Sequence, residues 1–480
     1  MLSNLTSHIS GFLPQAVQHR NRVILLLLVL ALGLFVRALT ANFIQAHFND
    51  SAWFQFGSYA VFDRQAQAVL DGKESFFWIN DSSRTDLIQY PPGYRLWVAV
   101  LYGICHTRTP SVVQRVQLVL DAFSVLVLVG IGATAFGWTT GIVAGFLMAL
   151  SPLFALAGAT PNADAPTSWF VLAGVLMLVM SFKHASVIWA IGAGFMIGVA
   201  CWLRVNPFFL VLVWGLVLTL LGRAPRRKRI CVGLATVLGA ALTISPVVVR
   251  NLVVFYPEVV TNGLSIGVNL WEGIGDTSRG REFGAPASDA EMIAQDRHEM
   301  GLPADAPLQL FWPDGIRRDR MRTQKSLAVI RSHPFWFAGI MMKRIWGHLK
   351  FAGSPAPHVG SMGINVTSQK CLPPARQHGP LAILVTALGM IQSVLRYLQL
   401  PLILIGIAVA WRTNWRITAL LLTTILYYLL TMSVGHSEIR YGLPMQALLL
   451  LFASVAIRRL STALRNQFSP QPSSRAQAMS

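Results

Sequence analysis

The chain has 480 residues, 54% of them hydrophobic and 12% charged, with a mean hydropathy of +0.53. Those proportions exclude an ordinary soluble domain and a disordered polymer, and they describe a polypeptide that mostly faces lipid. The net charge of +19 would suit nucleic acid, but the basic residues cluster where membrane topology needs them, so no nucleic-acid partner is expected. Cys105, Cys201, Cys231 and Cys371 are scattered without a CxxC pair, which indicates neither a disulfide framework nor a zinc site.

Residues 1–22 carry Arg20 and Arg22 and no acid, and an apolar run follows from Val23 to Leu39. That run is too long for a signal peptide and reads as an uncleaved first span with its N-terminus in the cytoplasm. The first outer loop is then 42–106. It holds Asp50, Asp63, Asp71, Glu74, Asp81 and Asp86, six of the 20 acids in the chain, and no acid precedes Asp50. Within it, Tyr90-Pro-Pro-Gly-Tyr94 predicts a rigid turn, and the apolar piece Leu96–Cys105, about half of a spanning length, predicts an interfacial or re-entrant helix.

Apolar runs follow at 113–135, 139–158, 165–182, 185–203, 206–222 and 229–248. The loop Arg223-Ala-Pro-Arg-Arg-Lys-Arg229 between the last two is strongly basic and belongs inside. Five crossings separate it from the first outer loop, so parity agrees. A second extracytoplasmic region covers 252–380, including an aromatic and basic run, Pro334–Phe351, expected to lie on or dip into the outer leaflet. Apolar segments at 381–411, 417–434 and 442–457 complete the membrane part, and 459–480 is a basic tail expected to be cytoplasmic and disordered. The predicted architecture is thus an all-α polytopic membrane protein of about ten spans, or twelve if 334–351 and 381–394 cross as a pair. Both termini lie inside, 23–251 forms a first transmembrane module and 381–458 a second.

The ionisable residues sort by side. Asp50, Asp63, Asp164, Arg250, Glu438 and Arg440 all fall at the outer boundary, where groups from separate helices can converge on one cavity. Such a cavity suits a reaction on a membrane-anchored amphiphile. Asp164 follows Pro161-Asn162 and reads as a cap of the next helix. Asp121 lies about 12 Å inside the second span at about 1.5 Å per residue, near Gln114 and Gln117, and a buried acid there needs a partner or a task.

The stretches YAVFDRQAQAVLDG (Tyr59–Gly72) and YPPGYRLWVAVLY (Tyr90–Tyr102) resemble bacterial members of the GT-C glycosyltransferase superfamily. These are the protein-mannosyltransferase-like and aminoarabinose-transferase-like enzymes with an RgtA/B/C/D-type domain. LSPLFALAGATPNAD (Leu150–Asp164), SPVVVRN (Ser245–Asn251), GVNLWEG (Gly267–Gly273), HPFWF (His333–Phe337) and IRYGLP (Ile439–Pro444) continue the resemblance in order.

The resemblance implies inverting transfer of a sugar from a polyprenyl-phosphate donor to an extracytoplasmic glycan, lipid or protein, in the inner membrane, with a first-loop acid as general base. Relatives commonly place that acid where this chain has Ser58. Asp63 is then the first choice and Asp50 the second. Arg250 and Arg440 are the phosphate-binding candidates, and Tyr441, Glu438, Lys73 and Tyr94 complete the expected substrate contacts. The donor is already charged and membrane-anchored, so no cofactor is required, while a divalent metal stays open. An O-antigen-ligase or polymerase-like enzyme would rely on His and Arg in a late loop, and a lipid-linked sugar flippase would show midplane polar residues and an internal repeat.

Overall fold

The computed structural model describes residues 2–45, 48, 58–73, 90–258, 263, 266–311, 314–349, 380–436 and 438–468, with backbone alone over 2–18, at 43 and over 380–396. Asp50, Glu74, Asp81, Asp86 and Cys371 lie outside them. The described residues are helical and contain no strand.

Helix α1, Leu2–Gln45, carries the first span and leads to α2, Ser58–Leu70, and α3, Gly93–Cys105. At 13 residues, α3 is too short to span, as its sequence suggests. Its first turn is drawn against the end of a later helix, since a Cβ on Gly93 would sit 2.6 Å from the Trp202 carbonyl oxygen. Only glycine permits that approach. Next come α4, Pro110–Phe136, then α5, Trp138–Leu150, and α6, Pro152–Ala159. The single span expected at 139–158 is broken by a 61° bend between α5 and α6, where Pro152 cannot donate to the α5 ladder and opens a new helix instead.

Helices α7, Asp164–His184, α8, Val187–Leu203, α9, Leu210–Leu221, and α10, Arg226–Val254, form a hairpin array. The run 206–222 does not start its helix at 206: turns around Pro207 delay α9 to Leu210. The loop region then folds as α11, Ile266–Gly275, α12, Ser278–Glu282, α13, Asp289–Glu299, α14, Gly315–Ser332, and α15, Pro334–Leu349. It has its own apolar core around Phe255, Trp271, Met292 and Phe311. A buried ion cluster stiffens it, in which Arg318 and Arg322 both engage Asp296.

Helix α16, Pro380–Val434, holds Asn414 in a non-helical conformation and is therefore two helices end to end. A 3₁₀ turn, Ile439–Gly442, leads into α17, Leu443–Phe468. Helix α15 enters the bundle: Gln446 on α17 donates to the His348 carbonyl at 3.0 Å, and Ile345 and Leu349 pack on the main core. Its opposite face leaves Phe335, Met342 and Trp346 exposed as an apolar stripe.

Six helices are long and apolar enough to cross a membrane, or seven with the bent pair. The expected ten to twelve are not reached by that criterion, because the runs at 187–203 and 210–221 are short and 397–434 is continuous apart from its kink. Leu234, Leu238, Leu242 and Val249 remain exposed along α10, a lipid-facing surface.

The two ends of the bundle differ in charge. At one end Arg458 donates to the Phe136 carbonyl, Arg229 to the Leu220 carbonyl, and Arg22 sits over Trp138. The other end carries the loop region and the acids.

Candidate functional site

At the loop-region end, five chain segments bring seven charged side chains into one row of alternating sign. Arg344 on α15 lies 3.5 Å from Asp276, just past α11. Asp276 accepts from His436 Nδ1 at 3.2 Å, and His436 Nε2 stands 3.9 Å from Glu438. Glu438 takes Arg440 Nε at 2.5 Å and Nη2 at 2.7 Å. Arg440 then faces Asp164 at 3.6 Å, and Asp164 is held by Arg204 at 2.9 Å.

Arg204 and Arg440 both lie over the Tyr441 ring, at 5.4 and 5.5 Å. Asn162 steadies Arg204 from below, accepting at 3.3 Å. The row exists because three helix ends meet: Asp164 opens α7, Arg204 follows the last residue of α8, and 436–440 precedes α17. Asp164 is not the cap the sequence suggests. It lies within the first turn behind Ala163, and the carboxylate serves the two arginines.

The protonation of the row follows from its alternation. Burial would lift the Glu438 carboxyl, but Arg440 and His436 outweigh it and hold the group at about 2. Burial opposes charge on His436, yet the bonds to Asp276 and Glu438 and the nearby Glu272 carry it up to about 11. At neutral pH His436 is therefore cationic and Glu438 anionic, which keeps the alternation at the centre of the row.

Glu272, one turn before Asp276 on α11, adjoins this row. Burial, with Asp289, Asp276 and Glu438 adding to it and His436 opposing, pushes its carboxyl up to about 8. Helix α11 can lie this close because a Cβ at Gly273 would fall 2.4 Å from the His436 nitrogen, and His436 N–H donates to the Asn269 carbonyl at 2.6 Å.

The first-loop acid lies at the same end. Asp63 on α2 accepts from the Tyr102 hydroxyl at 2.6 Å and from Gln67 at 2.8 Å, and Tyr102 in turn shares a 2.7 Å contact with the Tyr59 hydroxyl. Its neighbour Phe62 packs on Tyr90 at 4.9 Å, and Tyr90 lies within electrostatic range of Arg204, Arg440 and Asp164.

The remaining candidates scatter. Tyr94 is fully buried and gives its hydroxyl to Gln117 at 2.9 Å, so it braces α3 against α4. Lys73 is exposed, 3.9 Å from Asp71, which Arg108 engages at 2.7 Å. Arg250 is buried and donates twice to Asn251, within electrostatic reach of the buried Arg95 and separate from the row. Asp121 has its partners: Arg37 at 2.6 Å and the Trp169 indole at 2.6 Å. Among the described residues no three His, Cys, Asp or Glu converge as metal ligands.

Sequence reasoning passed over Arg37, Arg204, Asp276, Glu272 and Arg344. Arg204 had a readable signal, since it stands at the end of an apolar run as Arg250 does. Arg37 did too, as an arginine inside a span.

Comparison with known proteins shows what the chain is similar to. Residues 89–249 match the model of the dolichyl-phosphate-mannose-protein mannosyltransferase family. YkcB of Bacillus subtilis (strain 168), named provisionally as a mannosyltransferase, is 28% identical over 192 residues, 38% of this chain and 27% of its own length. The archaeal oligosaccharyltransferase AglB of Archaeoglobus fulgidus, solved with an inhibitory peptide and a dolichol-phosphate, superposes with TM-score 0.50 at 12% identity. It covers 95% of this chain and 52% of that one. A second structure of the same enzyme, tethered to an acceptor peptide, gives TM-score 0.51 at 11% identity, covering 93% of this chain and 50% of that chain. The chain spans about half of these structures and about a quarter of YkcB. Residues 89–249 therefore resemble the dolichyl-phosphate-mannose-protein mannosyltransferase family, and the helical fold as a whole is similar to that of the archaeal oligosaccharyltransferase.

Proposed function

We propose that this chain transfers a sugar from a polyprenyl-phosphate-linked donor to an acceptor on the extracytoplasmic side of the inner membrane, with inversion at the anomeric carbon. The observation that carries the reading is the alternating row of guanidinium, imidazolium and carboxylate groups at the loop-region end of the bundle. As the glycosidic C–O bond to phosphate breaks, its electron pair goes to the departing phosphate. Guanidinium groups already fixed in place stabilise that charge without reorganising. Glu438 and Asp164 orient Arg440, Tyr441 lies beneath both arginines, and Arg250 with Arg95 forms a second cationic spot for a donor oxygen or neighbouring lipid headgroup.

Asp63 is the proposed base, with Asp50 second. Two of the roughly four acceptor positions of the Asp63 carboxylate are filled by Tyr102 and Gln67, which fix its orientation while a lone pair remains for the acceptor's proton. Lys73 at the rim is assigned to the incoming acceptor or the phosphate, and Tyr94 supports α3 beneath them. The donor is already charged and membrane-anchored, so this reading requires no cofactor, and a divalent metal stays open.

The test uses the full chain in nanodiscs with radiolabelled polyprenyl-phosphate-linked mannose and fractionated envelope lipids and peptides. Label leaving the donor, abolished in Asp63→Asn or Asp50→Asn protein that still elutes as a folded monodisperse species, supports the reading. Donor untouched by any fraction, or lipid moved between leaflets with no sugar released, overturns it.

A further inference from the structure

Gln114 and Gln117 stand near Asp121 in the sequence, and the transfer chemistry above uses neither. Both are buried on α4, three residues apart and so on one helix face. They meet the C-terminal end of the short helix α6, whose last carbonyls have no N–H ahead of them in the helix and no water in a bilayer. Pro161 deepens that need, because it has no N–H to give the Ala157 carbonyl four residues earlier. The Gln117 amide donates there instead, at 3.3 Å, and to the Thr160 carbonyl at 2.5 Å. Gln114 donates to the Ala159 carbonyl at 2.8 Å and to the Ala41 carbonyl on α1 at 3.2 Å.

The other pole of the Gln117 amide is engaged as well. Its oxygen accepts the Tyr94 hydroxyl at 2.9 Å, and Tyr94 is fully buried on α3 with its ring edge-on to Phe62 at 4.8 Å. Phe62 precedes Asp63 on α2, and Tyr102, two turns beyond Tyr94 on α3, donates to the Asp63 carboxylate. In the opposite direction, Thr160 stands four residues before Asp164, with which Arg204 and Arg440 pair. One side chain thus joins the helix pair that carries the candidate base to the short segment that leads into the row.

Inverting transfer needs its base and the cations that receive the leaving phosphate on opposite sides of the anomeric carbon, at a fixed separation. A misplacement of about 1 Å caused far from the chemistry can cost about 10²-fold in rate. We propose that Gln117 is a positioning residue that sets the spacing between Asp63 and the Asp164–Arg204–Arg440 part of the row. It acts through Tyr94 on one side and Thr160 on the other. This rests on the roles proposed above for Asp63 and the row.

The test is the labelled-mannose assay on the full chain in nanodiscs, with kcat and donor KM measured separately. Gln117→Met keeps the length of the side chain and removes both sets of bonds, whereas Tyr94→Phe removes the link to α3 and leaves the cap of α6. In each, kcat should fall about tenfold to hundredfold with donor KM within about twofold of wild type. The double variant should be no slower than the slower single one, since both break the same connection. Where Gln117→Met fails to fold, Tyr94→Phe carries the test.

Wild-type kcat in either folded variant, a loss confined to KM, or a double variant as slow as the product of the two single effects overturns the proposal. A second readout needs no transfer: amide hydrogen exchange in α2 and α3 of Tyr94→Phe should quicken about fivefold or more, while peptides of 278–299 exchange as in wild type. If the wild type transfers no label, the transfer reading fails and the effect of Gln117 on rate fails with it, while quickened exchange keeps the brace itself. Unchanged exchange in α2 and α3 overturns the Gln117 proposal whatever the assay shows.

Discussion

Two acidic regions lie at the same end of the bundle and were assembled differently. The first outer loop concentrates its acids along the chain, and Asp63 finds its donors within about forty residues, at Gln67 and Tyr102. The charged row draws single residues from Asp164 to Arg440, and its members touch only after α7, α8, α11, α15 and the turn before α17 have packed. The first is a local cluster with neutral hydrogen-bond donors. The second is an ion network whose charges fix one another. A chemical group that must exchange a proton belongs in the first setting, and one that must hold a constant charge belongs in the second.

Substitutions can break that division. The largest expected effect is on rate: Asp63→Asn keeps an acceptor for Tyr102 but removes the base, and transfer should fall by about 10²–10⁴ in the labelled-mannose assay, with thermal stability nearly unchanged. Next comes Asp164→Asn, which leaves Arg204 and Arg440 buried against a neutral amide. A buried pair broken in this way costs about 3–5 kcal/mol, and the melting temperature in detergent should drop well before any kinetic effect can be read. Gly273→Ala places a methyl against the His436 backbone and should cost about 1–3 kcal/mol through overpacking, loosening α11 from the row and weakening polyprenyl-phosphate binding. Lys73→Ala sharpens the contrast from below: at an exposed rim position it should shift stability by less than about 0.5 kcal/mol, and any change it makes should show in KM alone.

Stability against pH separates the row from Glu272. Glu438 titrates in the fold at about 2, below an ordinary carboxyl. Its contribution is present above the unfolded value of about 4.3 and lost as pH falls through 2. His436 titrates at about 11, above an ordinary imidazole, so its contribution is complete below about 6.5 and lost as pH rises toward 11. Between them Glu272 titrates at about 8; its neutral form is favoured in the fold, so stability declines from the unfolded carboxyl value up to 8. Glu272→Gln should remove that decline, and melting curves of the two proteins should diverge from pH 5 to 8 and run parallel above it.

Much of this was legible in the chain and some was not. The apolar runs located most of the helices, the Tyr90-Pro-Pro-Gly-Tyr94 turn announced a short α3, and the ordered motifs pointed to the superfamily. Hydropathy could not foresee the bend at Ser151-Pro152 or the late start of α9, because both depend on a single proline's missing donor inside an otherwise continuous apolar run. Arg440, Glu438 and Tyr441 could be picked out as one local polar cluster. Asp276, Glu272 and Arg344 could not, because each is an unremarkable charge in a polar region until tertiary packing sets it beside His436. Asp121 announced a partner without naming it, and Arg37 supplies it from a helix 84 residues earlier.

The most direct measurement is a structure of the full chain in nanodiscs with a polyprenyl phosphate bound. The account predicts the phosphate within hydrogen-bonding distance of Arg440, Arg204 or His436, with its lipid tail leaving between helices at the loop-region end and Asp63 facing the same opening. A phosphate seated at the basic end, near Arg229 and Arg458, would contradict it.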